Sequence, residues 1–262
     1  MIFSFEDARM NYEEFGSGDR ALVLLHGWGG SIESWIPVTR DFQKDFRVIA
    51  ADFPGFGQSP EPSVGWSVDE YARLTAAFIR SLNSERVFVI AHSFGGRVAL
   101  AVNRDAPELI EKQILTGCAG LPPRKSEKDR LSARAVHMVS ALADNRLTRR
   151  IAGDQAIDRA RDKMRGVFGS SDYRSASPLM RETFQKVIAQ DLSDCLARVR
   201  ASTLLVWGEN DTATPLWMGK EMEKTIRDAG LVVFEGAGHF AYLEQYARFR
   251  AVAQSFFNDP NA

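Results

Sequence analysis

The feature that most constrains the fold is the stretch from Val87 to Arg104, which reads VFVIAHSFGGRVALAVNR. Its first five residues, Val87 to Ala91, are all apolar, as is typical of a strand buried on both faces of a parallel sheet. Small and apolar residues then alternate at helical spacing from Arg97 to Arg104. We therefore expect a central strand that leads through a short turn, which carries Ser93, into a helix.

The turn from His92 to Gly96 is similar to the GxSxG pattern of a nucleophile elbow. Such a turn raises a serine hydroxyl above the sheet edge at a helix N-terminus. It needs small residues two positions before and after the serine, where the backbones of strand and helix crowd together. Ala91 and Gly95 fill these positions, so alanine stands where the pattern has its first glycine. A serine in an ordinary surface loop is the alternative that this motif alone leaves open.

A second loop that follows a strand is rich in glycine. The apolar run Ala21 to Leu25 ends in His26 to Gly30, with the sequence HGWGG. This loop lacks the spacing of the common phosphate-binding motifs. An HGxxG-type loop early in an α/β chain can supply half of an oxyanion hole, and the residue after the nucleophile supplies the other half. The donors would be the backbone N–H groups of Trp28 and Phe94, and a purely structural turn is the alternative.

The remaining pattern alternates strands with helices. A capping box from Ser67 to Glu70 predicts the start of one helix, and Ser31 to Phe42 and Tyr242 to Phe257 are also predicted to be helical. The predicted strands are Ile2 to Phe5, Arg9 to Phe15, Ala21 to Leu25, Arg47 to Ala51, Val87 to Ala91, Lys112 to Thr116, Thr203 to Trp207 and Leu231 to Phe234.

Strand patterns are missing from residues 121–190, where helical periodicity appears three times and the last helix has Pro178 in its first turn. We therefore predict a core domain of residues 1–120 and 191–262, with a helical cap of residues 121–190 inserted between two strands. Residues 124–186 carry 15 basic and 8 acidic side chains, a net charge of +7. A solvated helical surface is the favoured explanation, and selection for anionic substrates is the alternative.

The amino-acid composition restricts the kinds of partner and the cellular location that we expect. The formal net charge of the 262 residues is -1, which gives no reason to expect a nucleic-acid partner. Cys118 and Cys195 are far apart and predict buried thiols, not a disulfide or a zinc site. The acidic N-terminal stretch is not typical of a signal peptide, and no apolar run approaches the roughly 20 residues that span a bilayer. We expect a cytoplasmic protein with a small-molecule substrate, no membrane association, and no metal or organic cofactor; the sequence leaves the oligomeric state open.

A serine nucleophile needs a base beside it, and the chain contains four histidines. His239 lies in a glycine-flanked loop after the last strand, so it is free to reach across the sheet edge. His92 is expected to point away from Ser93, His137 lies in the insertion, and His26 is expected to be structural.

The base in turn needs an acid that orients it. Asp211 follows the preceding strand and is the natural partner of His239, with Glu209 as the fallback. Asp52 precedes a Pro-Gly turn, and such an aspartate more often bonds to its own backbone.

These residues carry a family resemblance. Ser93, Asp211 and His239 occur in the order serine, acid, histidine, with HGWGG before them and WGENDTATP and GAGHF around the last two. The chain thereby strongly resembles the α/β-hydrolase superfamily over nearly its whole length. The resemblance implies a mostly parallel eight-stranded sheet flanked by helices, with residues 121–190 in the place of the helical cap.

The resemblance also implies roles for the site residues. Ser93 would be the nucleophile, His239 the general base and then acid, and Asp211 the residue that orients His239. The N–H groups of Trp28 and Phe94 would form the oxyanion hole, and Gly27, Trp28 and Phe94 would contact the substrate.

Three functions agree with these expectations. The leading one is a cofactor-independent carboxylic ester hydrolase that works through an acyl-enzyme. A carbon–carbon bond hydrolase that acts on ring-cleavage dienoates shares the fold, the three residues and the cap. A non-catalytic small-molecule receptor is the third. Relatives that use an aspartate nucleophile are disfavoured because this chain has Ser93 in that position.

Overall fold

The structure, a computed structural model, describes residues 1–122 and 176–259. The chain forms two compact units, one of Met1–Leu121 with Pro178–Ala262 and one of Pro122–Ser177. The elements described below all belong to the first unit. The first two helices predicted within the insertion, and His137 with them, lie outside the described residues.

The eight predicted strands form one sheet. Within the described residues the strand order is β1-β2-β4-β3-β5-β6-β7-β8. The pairs β1/β2 and β2/β4 are antiparallel, and the other pairs are parallel. The bounds are β1 Ile2–Phe5, β2 Ala8–Phe15, β3 Ala21–Leu25, β4 Arg47–Asp52, β5 Val87–His92, β6 Lys112–Thr116, β7 Ser202–Gly208 and β8 Ala229–Phe234. The predicted fold class is confirmed.

Helices cover both faces of this sheet. The described helices are α1 Ile36–Phe42, α2 Val68–Ser81, α3 Phe94–Asp105, α4 Pro178–Ala189, α5 Trp217–Thr225, α6 Ala241–Glu244 and α7 Tyr246–Asn258, with short 3-10 turns at Ile32–Trp35 and Ser193–Arg198. The capping box at the start of α2 is confirmed, because Ser67 Oγ accepts from Asp69 N and the Glu70 carboxylate accepts from Ser67 N. Helix α5 was not predicted.

The C-terminal helix differs from its prediction as one element. It is divided into α6 and α7 at Gln245, whose backbone angles are φ -123° and ψ 50°. The Gln245 side chain donates to the carbonyl of Glu235. A local pattern of apolar residues does not reveal such a break or a bond to a residue ten positions earlier in the chain.

Alternate strand residues face opposite layers, so the sheet separates two hydrophobic cores. One core lies between the sheet and helices α2 and α3, and it contains Val23, Val89 and Leu115. The other lies between the sheet and helices α1 and α7, and it contains Phe88 and Ile114. Both faces of the central strands are buried, which explains their uninterrupted apolar sequences.

Helix α4 belongs to the sheet-bearing unit, whereas the sequence predicts it in the cap of residues 121–190. Thr183 Oγ1 accepts from Trp66 N at 3.1 Å, and Lys186 Nζ donates to the Gly65 carbonyl at 2.8 Å. The Arg97 guanidinium donates to the carbonyls of Val187 and Gln190 at 3.0 and 2.9 Å. The structure therefore divides the chain at Ser177 and Pro178, whereas the sequence pattern suggested residue 190.

The two cysteines are free and buried, as predicted. No helix in the ranges 1–122 and 176–259 is long and apolar enough to cross a membrane.

Candidate active site

The loops that follow the parallel strands meet at the carboxyl edge of the sheet. Ser93 follows β5, Asp211 follows β7 and His239 follows β8. Strand β3, which precedes the HGWGG loop, lies between β4 and β5 in the sheet. Open α/β sheets place their sites at this edge, next to the point where the strand order reverses.

Ser93 has an unusual backbone conformation. Its φ of 50° and ψ of -106° lie outside the regions that non-glycine residues normally adopt. A serine before a helix usually caps the first turn with its hydroxyl, but Ser93 makes no side-chain cap. The hydroxyl is thus directed to the site, as expected of a nucleophile elbow.

Close packing behind the elbow explains the glycines of the motif. A Cβ added to Gly95 would lie 2.2 Å from the carbonyl oxygen of Leu25, and one added to Gly96 would lie 2.4 Å from Cys118 Sγ. The backbone of helix α3 therefore approaches the backbone of β3 so closely that a side chain at Gly95 has no room. This approach holds the turn that carries Ser93 in place.

The structure brings Ser93, His239 and Asp211 together. Ser93 Oγ lies 3.1 Å from His239 Nε2, and His239 Nδ1 lies 2.8 Å from Asp211 Oδ2. The His239 side chain is 20% exposed and the Asp211 side chain is fully buried. Such a chain of hydrogen bonds can move a proton away from the serine while the carboxylate stabilises the charged imidazole.

Several donors hold the Asp211 carboxylate. Oδ1 accepts from the N–H groups of Ala213 and Thr214, both at 2.9 Å, and Oδ2 accepts from Thr214 Oγ1 at 2.7 Å as well as from His239. Burial acts to raise the pKa of Asp211, but the hydrogen bond and charge of His239 and the bonds from Thr214 outweigh it. The pKa of this carboxyl is therefore held below its usual range, and the group is ionised at neutral pH.

Two further residues of the site were not predicted from the sequence. Thr214 contributes the hydroxyl just described. Gly117, with φ 49°, follows β6, and a Cβ there would lie 3.2 Å from both Asp211 Oδ2 and His239 Nδ1. Their only sequence signal is their position just past the ends of β6 and β7.

The glycine-rich loop lies against the elbow. A Cβ added to Gly27 would lie 2.9 Å from His92 Cδ2 and 3.4 Å from Ser93 Cβ. Within the described residues, neither the N–H of Trp28 nor that of Phe94 donates to a protein acceptor. Their place in an oxyanion hole stays a prediction.

His26 is structural, as expected. Its Nε2 accepts from the N–H of Phe53 at 3.0 Å, so the proton is on Nδ1, which donates to the carbonyl of Gly27 at 2.7 Å. Burial lowers the pKa of His26 to about 4. The neutral ring joins the HGWGG loop to the segment that follows β4.

Asp52 is structural as well. Its carboxylate accepts from Ile32 N, Gln58 N and Asn11 Nδ2 at 2.8 to 3.0 Å. It thereby ties together the two loops that follow β3 and β4. Glu209, the fallback acid, is exposed and accepts from Gly236 N.

His92 bonds to Thr116 and not to Ser93. Its Nδ1 donates to the Thr116 carbonyl at 3.0 Å, and its ring packs 4.7 Å from the ring of His239. Burial lowers the pKa of His92 to about 3, so a neutral ring lies beside His239.

Aromatic rings surround Trp28, whose side chain is half-buried. The ring of Phe184 on α4 lies 4.8 Å from it, and those of Phe56 and Phe94 lie 4.9 and 5.6 Å from it. Phe240 follows His239, packs 5.0 Å from the ring of His92 and is 51% exposed. In the described ranges, no group of three or more His, Cys, Asp or Glu side chains could hold a metal ion.

The fold and this arrangement define an α/β hydrolase. The family model for the alpha/beta hydrolase fold matches residues 20–246, and the chain belongs to this family.

Known proteins agree with this assignment. The chain is 26% identical, over 95% of its length and 91% of the relative's, to the 2-hydroxy-6-oxononadienedioate/2-hydroxy-6-oxononatrienedioate hydrolase of Burkholderia vietnamiensis. Its fold is similar to that of a hydrolase from Pseudomonas aeruginosa PA01, with TM-score 0.75, 21% identity and coverage of 99% and 98% of the two chains. It is also similar in fold to Est816, an N-acyl homoserine lactone degrading enzyme, with TM-score 0.73, 23% identity and coverage of 98% and 100%.

Proposed function

We propose that the protein is a cofactor-independent serine hydrolase that cleaves carboxylic esters through an acyl-enzyme intermediate. The observation that carries the proposal is the continuous hydrogen-bonded chain from Ser93 through His239 to Asp211. In this mechanism Ser93 Oγ attacks the ester carbonyl carbon, and the hydroxyl proton passes to His239 Nε2. The Asp211 carboxylate stabilises the imidazolium that forms.

The oxyanion of the tetrahedral intermediate would accept hydrogen bonds from the N–H groups of Trp28 and Phe94. The intermediate collapses when the carbon–oxygen bond to the alcohol breaks and His239 returns its proton to the leaving oxygen. Water, deprotonated by His239, then attacks the carbonyl carbon of the acyl-enzyme. The bond between this carbon and Ser93 Oγ breaks, His239 returns the proton to Ser93 Oγ, and the acid is released. Removal of one such N–H donor typically costs about 10²–10³ in kcat.

The surroundings of Ser93 support a substrate that is neutral and apolar near the reacting carbonyl. Gly27 lets the glycine-rich loop approach the elbow closely, and the rings of Trp28, Phe56 and Phe184 form an apolar cluster. We propose that Gly27, Trp28 and Phe94 contact the substrate.

A carbon–carbon bond hydrolase that acts on ring-cleavage dienoates is the second candidate. The 26% identity to the Burkholderia vietnamiensis hydrolase over 95% of this chain favours it. The basic excess of residues 124–186 would suit an anionic substrate. Both candidates use the same three residues and differ in the bond that breaks.

The test is the hydrolysis of p-nitrophenyl esters of increasing acyl length by the wild-type protein. The Ser93→Ala variant should lose all but a few per cent of the turnover and keep its fold, because the half-exposed hydroxyl contributes little to the core. The Ser255→Ala variant, which changes an exposed serine of α7, is the matched control and should keep full activity.

The outcomes separate the candidates. Release that depends on Ser93 supports acyl transfer, and the profile of acyl length measures the space for the acyl group. Turnover of a ring-cleavage dienoate without turnover of any ester would replace the proposal with the second candidate. Saturable binding without turnover would indicate a receptor.

A further inference from the structure

Thr214 lies three residues after Asp211 and is only 4% exposed. Its hydroxyl oxygen is 2.7 Å from Asp211 Oδ2, 3.0 Å from the Gly117 carbonyl oxygen and 3.3 Å from His239 Nδ1. The hydroxyl oxygen therefore lies next to the hydrogen bond between Asp211 and His239.

The direction of the bond to Asp211 follows from the chemistry of the two groups. An ionised carboxylate only accepts hydrogen bonds, whereas a threonine hydroxyl has one proton to donate. Because the pKa of Asp211 lies below its usual range, the carboxylate is ionised and Thr214 is the donor. The single hydroxyl proton favours Oδ2, because this acceptor is charged and lies at 2.7 Å, whereas the Gly117 carbonyl oxygen is neutral and lies at 3.0 Å. It donates to Oδ2, the same oxygen that receives the proton of His239 Nδ1.

Two donors on one oxygen share its negative charge. The N–H groups of Ala213 and Thr214 bind Oδ1, so they fix the carboxylate but do not compete directly with His239. The Thr214 hydroxyl does compete, because each bond to Oδ2 weakens the pull of that oxygen on the other donor's proton.

We propose that Thr214 is a positioning residue that acts through Asp211. Its hydroxyl fixes the orientation of Oδ2 and limits the basicity of that oxygen. This weakens the pull of Oδ2 on the proton of His239 Nδ1 and keeps His239 aligned with Ser93. The inference rests on the proposed function, because it takes His239 as the base that activates Ser93.

The other groups around His239 stay the same in a Thr214 variant. The neutral ring of His92 packs against it from β5, and burial raises the pKa of the Cys118 thiol next to Gly117 to about 12. Glu244 on α6 accepts from Gly238 N and Phe240 N on either side of His239. A change in pH dependence would thus be assigned to the lost hydroxyl.

The experiment measures the rate at which diisopropyl fluorophosphate labels Ser93, as a function of pH. In this reaction Ser93 Oγ forms a bond to phosphorus, fluoride leaves, and the serine proton passes to His239. The rate therefore measures how strongly Ser93 is activated, and the natural substrate need not be known.

The variants are Thr214→Val, which keeps the shape but removes the hydroxyl, and Thr214→Ser, which restores it. Thr75→Val is the control, because the Thr75 hydroxyl is also buried but donates to the Tyr71 carbonyl within α2.

We expect Thr214→Val to move the acid limb of the profile to higher pH by about half a unit and to lower the plateau about tenfold, as for a lost hydrogen bond to a charged group. Thr214→Ser and Thr75→Val should stay within about twofold of the wild type with the limb in place. A profile of Thr214→Val with an unmoved acid limb would overturn the inference, even if the plateau fell, because a purely structural role lowers the rate at every pH equally. If Thr214→Val does not fold, Thr214→Cys, a weaker donor of similar size, is judged by the same criterion.

A second readout is independent of Ser93. The proton resonance of His239 Nδ1–H at low pH should move further downfield in Thr214→Val, since its bond to Oδ2 becomes stronger. A wild-type protein that is not labelled at all would contradict the proposed function. The proton spectrum would still test Thr214 in that case, and an unchanged resonance would count against it.

Discussion

At the scale of single residues, the nucleophile is placed by backbone strain. Ser93 has φ 50° and ψ -106°, and a conformation of this kind costs about 1–3 kcal/mol in a residue with a Cβ. The packing of Gly95 and Gly96 against β3 and Cys118 holds this conformation in place. The strained turn lowers the stability of the fold and directs the Ser93 hydroxyl toward His239.

The strain predicts that Ser93→Gly stabilises the protein while it removes the nucleophile. Glycine adopts the positive φ freely, and the gain exceeds its cost of about 0.5–1 kcal/mol in unfolded-chain entropy. We expect a net gain of about 1 kcal/mol, or roughly 2–4 °C in Tm for a chain of this size. Thermal unfolding followed by circular dichroism checks this. Ser93→Ala keeps the Cβ and is the matched control with an unchanged Tm; equal Tm values for the two variants would show that the turn is unstrained.

The site residues differ in how far the sequence could predict them. Ser93, Asp211 and His239 each follow a recognisable strand, and the structure brings them together at hydrogen-bond distance. Thr214 and Gly117 could not be predicted in this way. Their contacts depend on how the loops after β6 and β7 approach each other, and no local pattern encodes this distance.

At the scale of secondary-structure elements, the local sequence predicts that helix α4 exists, but not where it packs. Pro178 and the helical periodicity predicted its existence and its start correctly. Its place in the sheet-bearing unit depends on partners such as Arg97, about 90 residues earlier. Sequence periodicity contains no information about such partners.

Arg97 joins α4 to the helix that follows the nucleophile. Its buried guanidinium donates to the carbonyls of Val187 and Gln190 at the end of α4, where a helix has unsatisfied carbonyls and favours a cation. Burial lowers the pKa of Arg97 from its ordinary value. The cation thus acts as a cap supplied by another helix.

Arg97→Met should loosen the end of α4. The loss of two bonds from a charged donor predicts a decrease of about 2 kcal/mol in the free energy of unfolding. We expect faster amide hydrogen exchange in residues 185–190, measured by mass spectrometry, because the carbonyls lose their cap. Arg73→Met on α2, where the side chain is 58% exposed, is the control and should leave exchange in this segment unchanged. Unaltered exchange in Arg97→Met would mean that other contacts hold the helix.

At the scale of the whole molecule, the fold buries two histidines beneath the site in neutral form. Burial lowers the pKa of His26 to about 4 and that of His92 to about 3, whereas an unfolded chain has histidines near about 6.5. Between these values the unfolded state binds protons that the folded state does not bind. Their contribution to stability is therefore complete above about pH 6.5 and is lost as the pH falls toward 4 and 3.

This linkage predicts a steep acid dependence of stability. Near pH 5 the two rings together account for almost two protons taken up on unfolding, which corresponds to about 2.5 kcal/mol per pH unit in the free energy of unfolding. The lowered pKa of Asp211 acts in the same direction at lower pH, because its ionised form is the one stabilised in the fold. Urea unfolding between pH 4.5 and 7.5 measures the slope. His92→Gln removes one titrating ring and should roughly halve it, while an unchanged slope in that variant would place the proton uptake in other groups.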